Sequence, residues 1–249
     1  MGTARRTAIV TGGASGIGRA VVLRLAKDGM DVGLLDVDVA GAGWVAAEAA
    51  AAGRRAVAVE GDVAAAASVA TAVERVRGQL GPVHVLVNAA GIASFVPFQE
   101  MTEEVWDRMI AVHLKGAYNC TRAVLPDMVA ARWGRIVNLA SVAGLNGGGP
   151  GLSHYAAAKS GIIGLTKTLG MELGPHGITV NAIAPGLIDT PLLDRSGMPP
   201  EARRTVVDRT PVGRIGQPDD IAAACAFLVS EEASFVTGQV VSPNGGTWT

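Results

Sequence analysis

The chain alternates short apolar runs with longer segments in which apolar residues recur at helical spacing. Runs rich in Val, Ile and Leu predict seven strands, at residues 7–10, 31–35, 55–60, 83–87, 134–139, 179–183 and 240–242. The segments between them predict six helices, at residues 16–28, 39–52, 66–80, 102–131, 154–174 and 218–229. Several strands are apolar on both faces, which is typical of a parallel sheet that helices cover on each side.

This alternation continues to the end of the chain and predicts a single doubly wound α/β domain over residues 1–249, with a mostly parallel seven-stranded sheet. No low-complexity linker or change in composition marks a domain boundary. One segment departs from the pattern, because residues 189–217 hold four prolines and no clear strand. We expect this segment to be an insertion above the sheet.

Composition and charge exclude several classes of protein. Hydrophobic residues make up 49% of the chain and the net charge is −1, which excludes a disordered chain. No apolar run approaches the ~20 residues that a membrane span requires. Because 21 basic residues nearly cancel 22 acidic ones, we expect no nucleic-acid partner. The two cysteines predict buried thiols in a reducing compartment, and the first residues carry no targeting signal, so we expect a cytoplasmic protein. The four histidines lack ligand spacing, and we expect no metal site.

A glycine-rich turn, TGGASGIG at residues 11–18, joins the first predicted strand to the first helix. The residues of this turn that we expect to contact a ligand are Gly12, Ser15, Gly16, Ile17 and Gly18. Its glycines allow a tight turn and a close approach to a ligand, and the helix N-terminus after them favours an anion such as a pyrophosphate. A tight turn without a ligand is the alternative. The second strand ends in Asp36, 18 residues beyond Gly18, where a carboxylate can accept both hydroxyls of an adenosine ribose.

Two more loops follow the third and fourth predicted strands, at the sheet edge where ligands of open α/β sheets bind. Asp62, with Val63 beside it, can accept a hydrogen bond from an adenine amino group. Asn88, Ala89 and Gly91 belong to a small-residue loop that lets the chain pass close beneath a ribose. Asp62 can also cap a helix, and Asn88 can lock neighbouring loops at the strand ends; either role is compatible with cofactor binding.

Tyr155 and Lys159 lie four residues apart, which places a phenol and an ammonium on one helical face. A tyrosine ordinarily loses its proton near pH ~10, and a nearby cation favours the phenolate, so the pair can act as an acid–base near neutrality. The hydroxyl of Ser141, at the end of the fifth strand, can reach the same point. A surface pair without catalytic meaning is the alternative.

These motifs, in this order, resemble the short-chain dehydrogenase/reductase family over residues 7–246. TGGASGIG, NAAG, a serine after the fifth strand, YAAAK and NAIAPGLIDTP carry the resemblance. It implies a Rossmann-type fold and hydride exchange between a nicotinamide cofactor and a secondary alcohol or ketone. It also implies that Ser141 orients the substrate oxygen, that Tyr155 moves its proton, and that Lys159 holds the nicotinamide ribose and lowers the tyrosine pKa. The residues it places around the nicotinamide and pyrophosphate are Pro185, Gly186, Ile188 and Thr190.

The resemblance has further implications for cofactor, substrate and assembly. Asp36 would repel a 2′-phosphate, and Val37 offers no positive charge to neutralise one, so we expect NAD as the cofactor rather than NADP. Residues 142–153 and a lid at residues 189–217 would select a small alcohol or ketone substrate. Family members pair the helix at 154–174 with its two-fold mate, so we expect a homotetramer.

One position departs from the family pattern. The family usually has an asparagine in a V-N-x-x-G motif, which holds a water that relays protons to the lysine, and this chain has His113 there. A neutral imidazole can also hold a water, and at an unperturbed pKa of ~6.5 it would add an acidic limb to the pH–rate profile. Alternatively, His113 packs near a dimer face without a catalytic role.

Two other functions remain open. A carrier-protein-dependent 3-oxoacyl reductase fits the motifs, although Asp36 and the near-neutral charge count against it. A non-catalytic protein that senses the NAD redox state should lack Ser141, Tyr155 and Lys159, and this chain keeps all three.

Overall fold

Seven strands form one sheet in the computed structural model of the protein, which describes residues 5–248. The strands, in chain order, are β1 Thr7–Thr11, β2 Asp31–Asp36, β3 Ala56–Glu60, β4 Val83–Asn88, β5 Gly134–Leu139, β6 Ile178–Ile183 and β7 Val240–Val241. Their order across the sheet is β3-β2-β1-β4-β5-β6-β7, and every pairing is parallel. The predicted doubly wound fold is therefore confirmed.

Ten α-helices connect or follow these strands in the described part of the chain. They are α1 Gly16–Lys27, α2 Val39–Ala50, α3 Ala66–Leu80, α4 Glu103–Ile110, α5 Gly116–Ala131, α6 Ala143–Asn146, α7 Ser153–Leu173, α8 Pro191–Arg195, α9 Pro200–Asp208 and α10 Pro218–Val229. None of the helices that the structure describes is long and apolar enough to cross a membrane.

Two hydrophobic cores lie on opposite faces of the sheet, because alternate strand residues point to opposite sides. Val10 of β1 packs into the first core with residues of α1, α2 and α10. Ile9, its neighbour on the same strand, packs into the second core with residues of α3 and α5. The sheet is thus covered on both faces, and its order reverses between β1 and β4, where the carboxyl ends of the strands open a crevice.

Four elements differ from the sequence prediction, and one of them, the short helix α6, was not predicted at all. The single helix expected at 102–131 is interrupted, because Ala111–Lys115 form a π-helical turn between α4 and α5. The expected insertion at 189–217 contains two short helices, α8 and α9, and a bridge between Ile188 and Gly216 joins its two ends. The last strand is two residues long rather than three.

Candidate active site

The glycine-rich turn between β1 and α1 packs tightly against the loop after β4. A Cβ atom at Gly12 would lie 2.8 Å from the Cα of Ala90, and Gly12 and Gly16 both have positive φ, at 68° and 54°. Ser15 is the N-cap of α1, but its side chain makes no capping hydrogen bond. The first amides of α1 therefore have no side-chain cap and can bind an anion, as a pyrophosphate requires.

The carboxylate of Asp36 is fixed beside this turn by two backbone amides. Its Oδ2 accepts a hydrogen bond of 3.0 Å from Ala14 N, and its Oδ1 accepts one of 3.0 Å from Asp38 N. Val37, the next residue, is 66% exposed. Asp36 therefore lies where the sequence predicted, at the end of β2 and next to the amides of the glycine-rich turn.

The loop after β3 does not place Asp62 at a helix N-cap. Asp62 Oδ1 accepts a hydrogen bond of 2.9 Å from Ala64 N, whereas α3 begins only at Ala66 with Ala65 as its N-cap. The helix-cap alternative is therefore wrong, and the carboxylate closes a local turn. Val63 beside it is buried, and its carbonyl accepts a hydrogen bond of 2.8 Å from Asn119 Nδ2.

Asn88 locks the ends of two strands together. Its Nδ2 donates a 2.8 Å hydrogen bond to Oδ1 of Asn138 on β5, and Asn138 Nδ2 donates in turn to Thr166 Oγ1 at 2.9 Å. Thr11 Oγ1 accepts hydrogen bonds of 3.0 Å from the amides of Ala89 and Ala90. The strand-end lock is confirmed, and the network fixes the loop beside the glycine-rich turn.

Ser141, Tyr155 and Lys159 come together at the carboxyl end of the sheet. Lys159 Nζ lies 5.5 Å from the centre of the Tyr155 ring and donates to the carbonyl oxygen of Leu139 at the end of β5. Ser141 lies close enough to Tyr155 for its hydroxyl to affect the tyrosine pKa. Lys159 is only 4% exposed, so the alternative of a surface pair is wrong.

Burial changes the expected acid–base behaviour of this group. Removal from water raises the pKa of Tyr155 above its ordinary value, and the interaction with Ser141 only partly opposes that shift. Burial also lowers the pKa of Lys159 to about 7. The net shift of the Tyr155 pKa is therefore opposite to the lowering expected from Lys159, because loss of hydration dominates. At pH 7 Tyr155 is a protonated acid, and Lys159 is the group that titrates near neutrality.

His113 lies in the π-helical turn and points into the site. Its Nε2 is 2.8 Å from the carbonyl oxygen of Ile92 and 3.1 Å from the amide nitrogen of the same residue, so the ring is bound to Ile92 in either tautomer. The ring meets the Tyr155 ring edge-on, with centroids 5.4 Å apart. His113 is 3% exposed, so the ring is buried within the chain.

The same surroundings correct the expected pH dependence of His113. Burial, with a contribution from Lys159, lowers the pKa of His113 well below 6.5. The acidic limb expected for an unperturbed imidazole is therefore wrong, and the ring is neutral at pH 7. Gly91 makes room for it, because a Cβ atom there would lie 2.6 Å from His113 Cε1.

The segment after β6 runs between Ser141 and the glycine-rich turn. The carbonyl of Pro185 accepts a 3.1 Å hydrogen bond from Val142 N, next to Ser141. A Cβ atom at Gly186 would lie 3.0 Å from Asn244 Cα, and Ile188 is buried. The side chain of Thr190 caps α8. Its Cβ atom would lie 3.4 Å from a Cβ atom placed at Gly16. The four residues of this segment thus run from Ser141 to the N-terminus of α1.

Sequence reasoning missed one pair of residues in this region. His154 is fully buried, and its Nε2 lies 3.0 Å from Ser94 Oγ. Its position directly before Tyr155 was the only signal in the sequence. No group of three His, Cys, Asp or Glu residues within residues 5–248 is arranged to hold a metal ion.

Comparisons with known proteins show which sequences this chain resembles. A family model described as enoyl-(acyl carrier protein) reductase matches residues 12–247. The chain is 41% identical over 246 residues to the (2S)-[(R)-hydroxy(phenyl)methyl]succinyl-CoA dehydrogenase subunit BbsD of Thauera aromatica, covering 99% of this chain and 98% of that protein. It is 41% identical to the 3-oxoacyl-(acyl-carrier-protein) reductase FabG of Thermotoga maritima, covering 97% of each chain. It is 40% identical to FabG of Staphylococcus aureus, covering 98% of each chain.

Proposed function

The chain belongs to the short-chain dehydrogenase/reductase family, and from that membership we propose that it is an NAD(H)-dependent enzyme with Tyr155 as its general acid–base. It is an oxidoreductase that uses a nicotinamide cofactor and interconverts a secondary alcohol and a ketone. The observation that carries the proposal is the convergence of Ser141, Tyr155 and Lys159 at one point of the crevice.

The cofactor fits the residues present. Gly12 lies where a Cβ atom would collide with Ala90, and the amides at the start of α1 have no side-chain cap, so the turn suits a pyrophosphate. Nicotinamide, when bound, supplies or accepts the hydride. Asp36 is held ready to accept the hydroxyls of a ribose, and its charge opposes a 2′-phosphate, which favours NAD.

The side chains of the site supply orientation and proton transfer. Ser141 donates a hydrogen bond to the substrate oxygen, and the protonated hydroxyl of Tyr155 gives its proton to that oxygen during reduction. Lys159, with a pKa of about 7, can take up or release a proton in the part of the site next to Tyr155. His113, neutral and bound to Ile92, sets the position of the Tyr155 ring.

Acyl substrates are favoured by the relatives. BbsD is named for a hydroxyl-bearing acyl-CoA, and FabG is named for a 3-oxoacyl group on a carrier protein. We therefore place this chain's substrate among 3-hydroxyacyl and 3-oxoacyl thioesters. A carrier-protein-dependent 3-oxoacyl reductase is the second candidate, which the FabG relatives favour and Asp36 opposes.

We propose that the enzyme is a homotetramer. Met171 of α7 is 73% exposed and Phe235, before β7, is fully exposed, which supports a homotetramer that covers α7 and β7. Light scattering tests this, and a stable monomer at micromolar concentration contradicts it. We also propose that residues 189–217 act as a substrate lid and that the enzyme works in the cytoplasm.

Steady-state kinetics test the function. We expect oxidation of 3-hydroxybutyryl-CoA with NAD⁺, at a kcat/KM at least 10-fold above that with NADP⁺, and weaker activity on cyclic and aromatic secondary alcohols. Activity only with NADPH and a 3-oxoacyl carrier protein would favour the second candidate. No turnover of any alcohol or ketone would contradict the proposal.

A further inference from the structure

Ser94 and His154 form a polar pair beside the catalytic tyrosine that the reaction outlined above does not use. Ser94 follows β4 and is partly exposed, whereas His154, on α7, is fully buried. The distance between Ser94 Oγ and His154 Nε2 is 3.0 Å, a hydrogen bond. Among the described residues this is the only hydrogen bond of the Ser94 hydroxyl.

The surroundings of His154 determine which partner donates. Its second ring nitrogen, Nδ1, is buried and has no hydrogen-bond partner within residues 5–248. A proton on Nδ1 would therefore be a buried N–H without an acceptor, which folded proteins rarely contain. Burial also lowers the pKa of His154, which favours the neutral ring. The remaining neutral tautomer carries its proton on Nε2 and donates it to Ser94 Oγ.

This assignment leaves the proton of Ser94 available. A hydroxyl has one donor and two acceptor positions, and His154 occupies an acceptor position. Ser94 is consequently not activated as a nucleophile, since its histidine gives a proton rather than taking one. It is a hydrogen-bond donor of fixed position.

Three contacts fix Ser94 beside the elements that carry the catalytic residues. Ile92, two residues before it, is bound to His113, whose ring touches the Tyr155 ring. Val96, two residues after it, donates a 3.0 Å hydrogen bond from its amide to the carbonyl of Gly151, just before α7. The third contact is the hydrogen bond to His154, the residue that precedes Tyr155.

We infer that Ser94 donates a hydrogen bond to a second carbonyl oxygen of the substrate, the thioester oxygen of a 3-oxoacyl or 3-hydroxyacyl group, and that His154 positions Ser94 for this contact. The inference rests on the proposed function, because it assumes that the reacting carbonyl binds at Ser141 and Tyr155. It assigns the discrimination between acyl thioesters and simple ketones to a residue outside the catalytic group. A site built to bind such an oxygen discriminates strongly against analogues that lack it.

A matched pair of substrates isolates this contact. Acetoacetyl-CoA carries the thioester carbonyl, whereas S-(3-oxobutyl)-CoA keeps the ketone and the coenzyme but has a methylene in its place. With NADH, we expect Ser94→Ala to lower kcat/KM for acetoacetyl-CoA by about 10-fold, mainly through KM, and for the thioether by less than 2-fold. Ser94→Thr keeps the hydroxyl and should stay within about 3-fold of wild type on both.

The tautomer of His154 is tested without turnover. Nitrogen-15 NMR of labelled imidazoles should show His154 neutral with its proton on Nε2, and the signal should be assigned from its loss in His154→Gln. A proton on Nδ1 would make Ser94 the donor to His154 and would overturn the inference. His154→Gln offers an amide N–H and should affect acetoacetyl-CoA reduction less than His154→Leu.

The outcomes separate this inference from the proposed function. Equal effects of Ser94→Ala on the two CoA substrates would overturn the inference but not the proposed oxidoreductase function. Reduction of other ketones without reduction of acetoacetyl-CoA would have the same consequence. If no ketone is reduced, the proposed function fails. In that case the Kd of acetoacetyl-CoA can be measured by calorimetry. The inference requires binding to Ser94→Ala that is at least 5-fold weaker than binding to wild type.

Discussion

Replacing Gly91 by alanine tests whether the imidazole of His113 occupies the space beneath the loop after β4. Gly91 is outside the positive-φ region, so an alanine is compatible with its backbone. The three atoms nearest to a Cβ atom at this position all belong to the His113 ring, at 2.6, 3.3 and 3.5 Å. Real Cβ atoms do not approach a carbon at 2.6 Å, so the ring must move and its hydrogen bond to Ile92 must weaken.

The expected magnitude follows from two opposing contributions. Overpacking a well-packed site destabilises the protein by about 1–3 kcal/mol. Gly→Ala also stabilises it by about 0.4–1 kcal/mol, because alanine reduces the conformational freedom of the unfolded chain. The net loss is about 1–2 kcal/mol in the free energy of unfolding. For a chain of this size, that corresponds to a decrease of about 2–8 °C in Tm.

Thermal unfolding without cofactor is the appropriate assay, because it removes any collision of the new methyl group with bound NAD. The same substitution in a His113→Asn background should cost little, since the shorter side chain lacks the colliding atoms, and the two changes should be coupled by about 1–2 kcal/mol. Gly78→Ala in α3 is the control, because nothing lies within 4 Å of its Cβ position, and it should stabilise slightly. An equal cost of Gly91→Ala in both backgrounds would refute the reasoning.

Three further predictions follow from the site. Tyr155→Phe should lower kcat by about 10²–10⁴ while calorimetry shows NAD⁺ binding within a few-fold of wild type, and near-normal turnover would contradict the acid–base role. Asp36→Ala combined with Val37→Arg should shift the ratio of kcat/KM values toward NADP⁺, whereas a wild type that already prefers NADP⁺ would contradict the NAD assignment. The buried Lys159 has a pKa near 7 against ~10.4 when unfolded, so the folded state binds fewer protons between these values and stability must rise with pH there. Chemical denaturation should show a gain of about 1 kcal/mol from pH 7 to 8 that Lys159→Met removes, and an unchanged pH dependence in that variant would contradict the low pKa.

Most of the fold could be predicted because strand and helix periods are local properties of the sequence. The strands around Ile9 and Val10 are apolar on both faces, and their parallel pairing followed from that. The π-helical turn at Ala111–Lys115 could not be predicted, since its apolar spacing differs little from that of an α-helix. His113 in that turn is bound to Ile92, a contact that the local pattern does not contain.

The proximity of the motif residues was predictable, but their pKa shifts were not. The residues that the motifs brought together, such as Tyr155 and Lys159, do lie together. Their pKa shifts depend on burial by the whole fold, which spacing along one helix does not reveal. Ser94 and His154 are 60 residues apart in sequence, and only the folded chain shows that they share a hydrogen bond.

The transfer of deuterium from NADH that carries deuterium at both C4 positions tests the central claim most directly. The enzyme should be mixed with acetoacetyl-CoA, or with the ketone it reduces fastest, and the product analysed by mass spectrometry. We predict one deuterium on the carbinol carbon of the product in wild type, and at least 100-fold slower labelling with Tyr155→Phe at saturating NADH. An unlabelled product, or equal labelling rates for the two proteins, would contradict the claim that this site transfers a hydride with Tyr155 as the proton donor.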